Sequence, residues 1–408
     1  MIKKFIPAYF LTFVNVLGFS ILMPILPFIV DRYGAPKWVY GLLITCYAAF
    51  QFIGAPFLGA LSDRKGRKQI LLISQAGTLL SWFLFLFALF LPDMWVYGIS
   101  IPLIVIAFSR LLDGVTGGNT SVTNAYVSDI TTRKEKSYIF GYLGGISGLG
   151  MIVGPGLGGF AASTSLGYIG TLLVSILISI LALLTIFFWL KESHPIEKRT
   201  TDKSASIIDN FLILKRIRLI NPKPVIKLLF TIKFIFSIMM ACYIASMALF
   251  LIDTFHFNES QLGMFLFVVG AFLSFNQAFV SKKIIGKIGE FSTLIVGLLL
   301  SFFGLFSITL TTNLWLFISF YYVMNLGLSL VFPTLSALIA IHANPQKQGE
   351  IMGVSESLNS FALAAFPIVA TALYSIMGSS FYYVVSVLPL LALTLAYFGI
   401  KKLGKNLD

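Results

Sequence analysis

The chain holds 16 acidic residues, and only Asp113 and Glu356 fall well inside long apolar runs. A carboxylate in hydrocarbon is expensive unless it meets a cation or a wet cavity. Asp113 follows Arg110 by three residues, so on a helix the two share a face and can pair. That pair reads either as a structural contact that offsets its own burial or as a proton-exchanging acid tuned by a guanidinium. Glu356 has no cation within a helical turn. A carboxylate so placed can load and unload protons or bind a cationic substrate. Lys233 lies six residues beyond Lys227, which lets its stem snorkel to the membrane interface; the other reading makes it a partner for Glu356 or for an anionic substrate. Asn15, Gln51, Asn325 and Asn359 sit in apolar runs and need hydrogen-bond partners there. They are the candidates for lining a polar cavity. Cys46 and Cys242 are each isolated in apolar sequence, and His194, His256 and His342 lie outside the deep segments. No disulfide framework, metal site, cofactor or histidine proton relay is therefore expected.

These residues must be positioned by membrane-spanning helices. Of the 408 residues 58% are hydrophobic, only 11% are charged, 40 are Phe, and the mean hydropathy is +0.92. A soluble domain carries about a quarter charged residues, which excludes an ordinary soluble enzyme or nucleic-acid binder. Apolar segments fall near 5–30, 38–61, 69–91, 96–127, 137–162 and 166–190, and again near 227–252, 260–281, 290–310, 314–341, 349–374 and 379–400. Each is long enough to cross a bilayer core, which takes roughly 20 residues. The expected fold is all-α, with twelve crossings in two six-helix bundles, 1–190 and 227–408, joined by a basic linker at 191–226. The first segment runs apolar past Pro24 and Pro27 to Val30, so it reads as a crossing rather than a cleaved signal.

Placing both termini in the cytoplasm puts 25 of the 29 Lys and Arg on the cytoplasmic side. The bias fixes the orientation and explains the net charge of +13 without a nucleic-acid partner. An internal repeat is also visible. Gly141 and Pro155 in the fifth segment are 14 apart, as are Gly353 and Pro367 in the eleventh, and the basic loop after the second segment has a counterpart in Lys282-Lys283-Ile284-Ile285-Gly286-Lys287. Two related bundles with a substrate path between them are a common transporter design.

The loop after the second segment reads Gly59-Ala60-Leu61-Ser62-Asp63-Arg64-Lys65-Gly66-Arg67-Lys68. It resembles G-x-x-x-D-R-x-G-R-K/R, the signature of the major facilitator superfamily. There Gly59 would permit close helix packing, Gly66 a tight turn, and Asp63 either a cap on the third helix or an arginine pair. Arg110-Leu111-Leu112-Asp113-Gly114 resembles the family's R-x-x-x-G motif. The string from Gly150 through Gly154, Pro155, Gly158 and Gly159 resembles the G-x-x-x-G-P-x-x-G-G motif of proton-coupled antiporters. Pro155 removes a helix hydrogen bond and offers a bend. Asn15 to Pro27 is similar to the first helix of the tetracycline/proton antiporters, and the likeness extends over most of the chain.

The resemblance implies a secondary active exporter of a small organic compound, drug-like or an endogenous metabolite, that exchanges it for protons by alternating access. Its alternatives are a siderophore or other metabolite exporter, and nutrient uptake or facilitated diffusion. A monomer in a bacterial inner membrane is expected, with no enzymatic activity. One departure matters. Where the tetracycline antiporters carry carboxylates in helices one and three, this chain has Asn15 and Ser81, and their helix-nine acid is missing around Leu300-Ser301. Coupling then has to run through other residues, with Glu356 ahead of Asp113.

Overall fold

The computed structural model describes residues 5–96, 99–132, 135–195, 197, 199, 213–343 and 347–404. Lys3, Lys4 and much of the expected linker (196, 198 and 200–212) lie outside the described residues. The first unit comprises α1 (Ile6–Ser20), α2 (Leu26–Arg32), α3 (Trp38–Lys65), α4 (Arg67–Ala88), α5 (Ile101–Gly117), α6 (Asn119–Asp129), α7 (Lys136–Ala162) and α8 (Gly167–Trp189). A small antiparallel ladder, β1 (Trp95–Val96) with β2 (Ile99–Ser100), precedes α5. Then come α9 (Ile213–Ile220), α10 (Pro224–Phe255), α11 (Glu259–Phe275), a π-turn over Asn276–Ser281, α12 (Lys282–Ser307), α13 (Leu314–His342), α14 (Gln348–Met377) and α15 (Phe381–Gly404).

Among the described residues nine helical runs are long and apolar enough to cross a membrane. Two of these, Glu259–Ser307 and Gln348–Gly399, contain a turn and cross twice. With the first helix, these make the twelve crossings. The sequence led us to expect unbroken segments at 5–30 and 96–127, and both are interrupted. Pro24 cannot donate the backbone hydrogen bond that would continue α1, so residues 21–25 form turns in which Met23 N donates to Ser20 O at 3.1 Å. Gly118 separates α5 from α6.

Contacts divide the chain into a first unit of Met1–Phe211 with Phe257–Val268 and a second of Leu212–His256 with Val269–Asp408. In the first unit α1 packs on α7 and α8, while α4 packs on α5 and α8. In the second, α10 packs on α14 and α15, while α12 packs on α13 and α15. The repeated spacing of the sequence thus corresponds to a repeated choice of helix partners. The first unit's core gathers Phe5, Leu11, Ile70, Leu71, Val122, Val127 and Ile186. Around it, side chains such as Phe187, Phe188 and Trp189 are left bare, as a surface solvated by lipid tails requires.

Candidate functional site

Arg110 and Asp113 are both enclosed, at 3% and 4% exposure, and Arg110 Nη1 donates to Asp113 Oδ2 at 3.1 Å. The guanidinium carbon also stands 4.8 Å from the Trp82 ring centre and 5.2 Å from that of Phe85, an arrangement that favours a desolvated cation. Arg110 Nε and Nη2 have no hydrogen-bond partner among the described residues. Ser81 and Thr78 bring hydroxyls within hydrogen-bond reach of Asp113, and Thr78 Oγ1 lies 2.8 Å from Thr116 Oγ1.

A cavity of about 20 Å³ adjoins this pair, lined by Asn15, Tyr47, Thr78, Asp113, Ser175 and Ser179 among others. A void of that size with several polar groups in its wall accommodates one water molecule. Asn15 Nδ2 donates to Asn119 Oδ1 at 2.6 Å. Gln51 Nε2 donates to Tyr47 OH at 3.2 Å and Gly117 O at 3.3 Å, and so reaches the cavity through these two lining residues. The helices come this close because of glycine. A Cβ at Gly54 would overlap the Val115 carbonyl, and one at Gly114 the Tyr47 carbonyl. Gly59, expected to serve that purpose, stands at ordinary contact distance, 3.5 Å from Ser121 Oγ.

At the end of the unit that the charge bias places inside, α3 turns into α4 at Gly66, with φ +98° and ψ 151°. Such a backbone is essentially restricted to glycine. Arg67, on the far side of that turn, is buried and meets Asp63 Oδ1 at 2.6 Å, Asp129 Oδ2 at 3.1 Å and Ser62 Oγ at 2.6 Å. Asp63 therefore pairs with arginine and does not cap α4. The cap is Glu192, whose carboxylate accepts from Arg67 N at 2.9 Å and Lys68 N at 3.1 Å. A carboxylate on these unpaired N–H groups also complements the helix dipole. Lys68 Nζ donates to Phe187 O, and Arg64 is exposed. Asp129 and Glu192 went unnoticed in the sequence because neither lies within a motif. Acids near the ends of crossings were the available signal.

The fifth-segment motif has two faces. Gly150, Gly154 and Gly158 lie against α1, where a Cβ at Gly154 would overlap Ser20 Oγ and one at Gly158 the Ile21 carbonyl. Ser20 Oγ donates to Gly150 O at 2.9 Å. Pro155 and Gly159 lie against Gly263 instead; a Cβ at Gly263 would stand 2.6 Å from Pro155 O. Next to this contact, Tyr168 OH donates to Glu259 Oε1 at 2.7 Å. Helix α7 runs through Pro155 without interruption.

In the second unit the candidates stay apart. Asn325 is buried and donates to Val269 O at 3.3 Å, which leaves its Oδ1 without a partner. Asn359 is half-buried on α14. Glu356 is exposed rather than enclosed and pairs with no described residue. Lys233 is the reverse: it is only 4% exposed, so it does not reach an interface as its spacing from Lys227 suggested. Tyr243, Tyr321, Ser246 and Tyr382 form hydroxyl contacts deeper along α10, a polar set that scattered tyrosines in apolar sequence did not disclose.

Twelve crossings in two units that repeat one pattern of helix partners, with an enclosed ion pair in the first, define a polytopic α-helical membrane protein. The sequence model of the Major Facilitator Superfamily matches residues 8–367, and the chain belongs to that family. It is 30% identical over 364 residues, 88% of each chain, to the class G tetracycline resistance protein of Vibrio anguillarum. To the class B tetracycline resistance protein of Escherichia coli it is 27% identical over 397 residues, 93% of this chain and 94% of that one. The crystal structure of the human organic anion transporter MFSD10 (TETRAN) superposes with a TM-score of 0.71 at 23% identity, covering 97% of this chain and 99% of that one.

Proposed function

We propose that this protein is a secondary active transporter that exports a small organic compound in exchange for protons, by alternating access. It works as a monomer in a bacterial inner membrane and catalyses no covalent chemistry. The observation that carries this reading is the enclosed Arg110–Asp113 pair, with Asp113 lining a cavity of one water's size. The positions at which the resemblance puts carboxylates in the tetracycline antiporters adjoin the same group. Asn15 lines the cavity, and Ser81 lies within hydrogen-bond reach of Asp113. One acid on the fourth crossing, Asp113, thus takes over from acids on the first and third.

Protonating Asp113 would strip Arg110 of its counter-charge and leave a buried cation unpaired, a change worth about 3–5 kcal/mol. A rearrangement that relieves that cost links proton uptake to conformation. Glu356, exposed and unpartnered among the described residues, is the second acid of the proposal. The Gly59, Asp63, Arg64, Gly66, Arg67 and Lys68 motif braces the inner end of the first unit, with Asp129 and Glu192 as its anchors. The relatives' names speak of tetracycline resistance, which an exporter confers, and this supports outward transport.

The test uses purified protein in liposomes with an imposed pH gradient and a panel of tetracycline, amphipathic cations and iron-chelating metabolites. Antiport predicts that a panel member moves against its own gradient as protons move the other way. Asp113→Asn should abolish that uphill movement and spare downhill exchange, and Glu356→Gln should slow it less. Uphill transport that survives in Asp113→Asn would remove Asp113 from coupling. Wild-type movement that runs only downhill and ignores pH would replace antiport by facilitated diffusion.

A further inference from the structure

Lys233 poses a problem that proton coupling through Asp113 does not solve. It is the tenth residue of the 32-residue helix α10, about 14 Å along the axis from the helix start at 1.5 Å per residue. Only 4% of it is exposed, and it makes no ion pair or hydrogen bond with any described residue. One turn further along the same helix, Ser237 Oγ is also buried and has no partner among the described residues. The two side chains are i and i+4, so they stand one above the other on one helix face.

An amine on so buried a residue, well inside a membrane-spanning helix, gains from an acceptor. As an ammonium it further requires a negative charge, since an unpaired buried cation is strongly destabilising. Among the described residues Lys233 meets neither: Glu356 is exposed on α14 and does not pair with it. The near neighbours of Lys233 along the helix are aromatic. Phe234, next to Lys233, stacks near Phe361 with ring centres 6.2 Å apart, and Phe236 meets Phe332 edge-on at 5.2 Å.

We propose that Lys233 and Ser237 form an anion subsite of the transport pathway, which assigns the exported compound to the organic anions, with a carboxylate or sulfonate held by the ammonium and the hydroxyl. The assignment rests on the export reading above. A planar or amphipathic body would lie against the neighbouring phenylalanines, and its acidic group would accept from the Lys233 ammonium and from Ser237 Oγ, which has no partner among the described residues. Charge-assisted hydrogen bonds from an ammonium are short and strong in a site that excludes water, so one such contact discriminates an anion from its neutral analogue.

The test measures equilibrium binding of carboxyfluorescein and of radiolabelled salicylate to the purified full chain, with ethidium as the cationic probe. Wild-type protein should bind both anions. Lys233→Met should weaken that binding about 10- to 100-fold, the loss that removal of a charged hydrogen bond produces. Lys233→Arg should retain most of it, and Ser237→Ala should show a smaller loss in the same direction. Size-exclusion profiles and ethidium binding matched between wild type and variants establish that the fold is intact. Wild-type protein that binds neither anion overturns the proposal, and so does Lys233→Met with unchanged anion affinity. The same preparations placed in liposomes separate this reading from the one it rests on. Proton-driven movement of cations without anion binding keeps the exporter and removes the subsite, whereas anion binding that depends on Lys233 without any uphill transport keeps the subsite and removes the exporter.

Discussion

The turn between α3 and α4 and the turn within α12 have nearly the same backbone. Gly66 has φ +98° and ψ 151°, and Gly289 has φ +76° and ψ 168°. Both follow a basic stretch at equivalent places in the two units. Their surroundings differ. Beyond Gly66, Arg67 is tied to two carboxylates, and Glu192 caps the next helix. Around Gly289, Lys282, Lys283 and Lys287 are exposed and pair with no described residue. The expected basic loop is also not a loop there, because Lys282 to Lys287 continue a helix up to the glycine. A shared turn geometry therefore carries a locked charge network in one unit and a solvated cationic face in the other. What separates them is the supply of acids, Asp129 and Glu192, from distant parts of the first unit.

The comparison breaks if the two turns respond alike to loss of charge. Arg67→Ala removes the buried centre of the network and its charged hydrogen bonds to Asp129 and Ser62, so we expect a loss of about 2 kcal/mol. Lys283→Ala should stay within about 0.5 kcal/mol. Thermal unfolding of the two purified variants checks both, and equal shifts would mean that the network braces nothing. A glycine pair sharpens the point. Gly66→Ala and Gly289→Ala share a backbone strain of about 2 kcal/mol. Only at Gly66 would the new Cβ also meet Glu192 Oε2, at 2.6 Å, because nothing lies within 4 Å of that position at Gly289. The first variant should therefore melt lower than the second, and the gap should shrink when Glu192 is shortened to alanine in the same chain. The smallest effect is expected of Glu192→Gln, which keeps an acceptor for one N–H but loses the charge at the α4 start. It should cost about 1 kcal/mol, and the cost should fall as salt rises. A cost that does not change with salt would show that the carboxylate acts by shape and not by charge.

The crossings, the expected orientation and the repeat were legible in the sequence because each depends on a local quantity. A run of some twenty apolar residues, a count of loop cations and a 14-residue spacing can all be read without knowing what touches what. The interruptions at residues 21–25 and at Gly118 were legible in principle, since Pro24 and a Gly-Gly pair mark them, but apolar run length masks such breaks. Arg110 with Asp113 was accessible for the same local reason, being i and i+3 on one helix. Asn15 beside Asp113 was not, because 98 positions separate them, and neither was Glu192 on Arg67, with 125 between.

Glu356 and Lys233 show the limit most plainly. Each is a lone charge in an apolar segment, and hydropathy treats them alike. Lys233 is buried on α10, which packs against α14 and α15, while α14 presents the glutamate at the surface of its unit. By itself the sequence determined that this chain crosses a membrane twelve times and which family's motifs it carries, because burial in lipid is decided by segment composition. Only the tertiary structure decided which charges are paired, capped or left wanting a partner. Pairing is set by distances of about 3 Å between side chains that the folded chain brings together from distant positions.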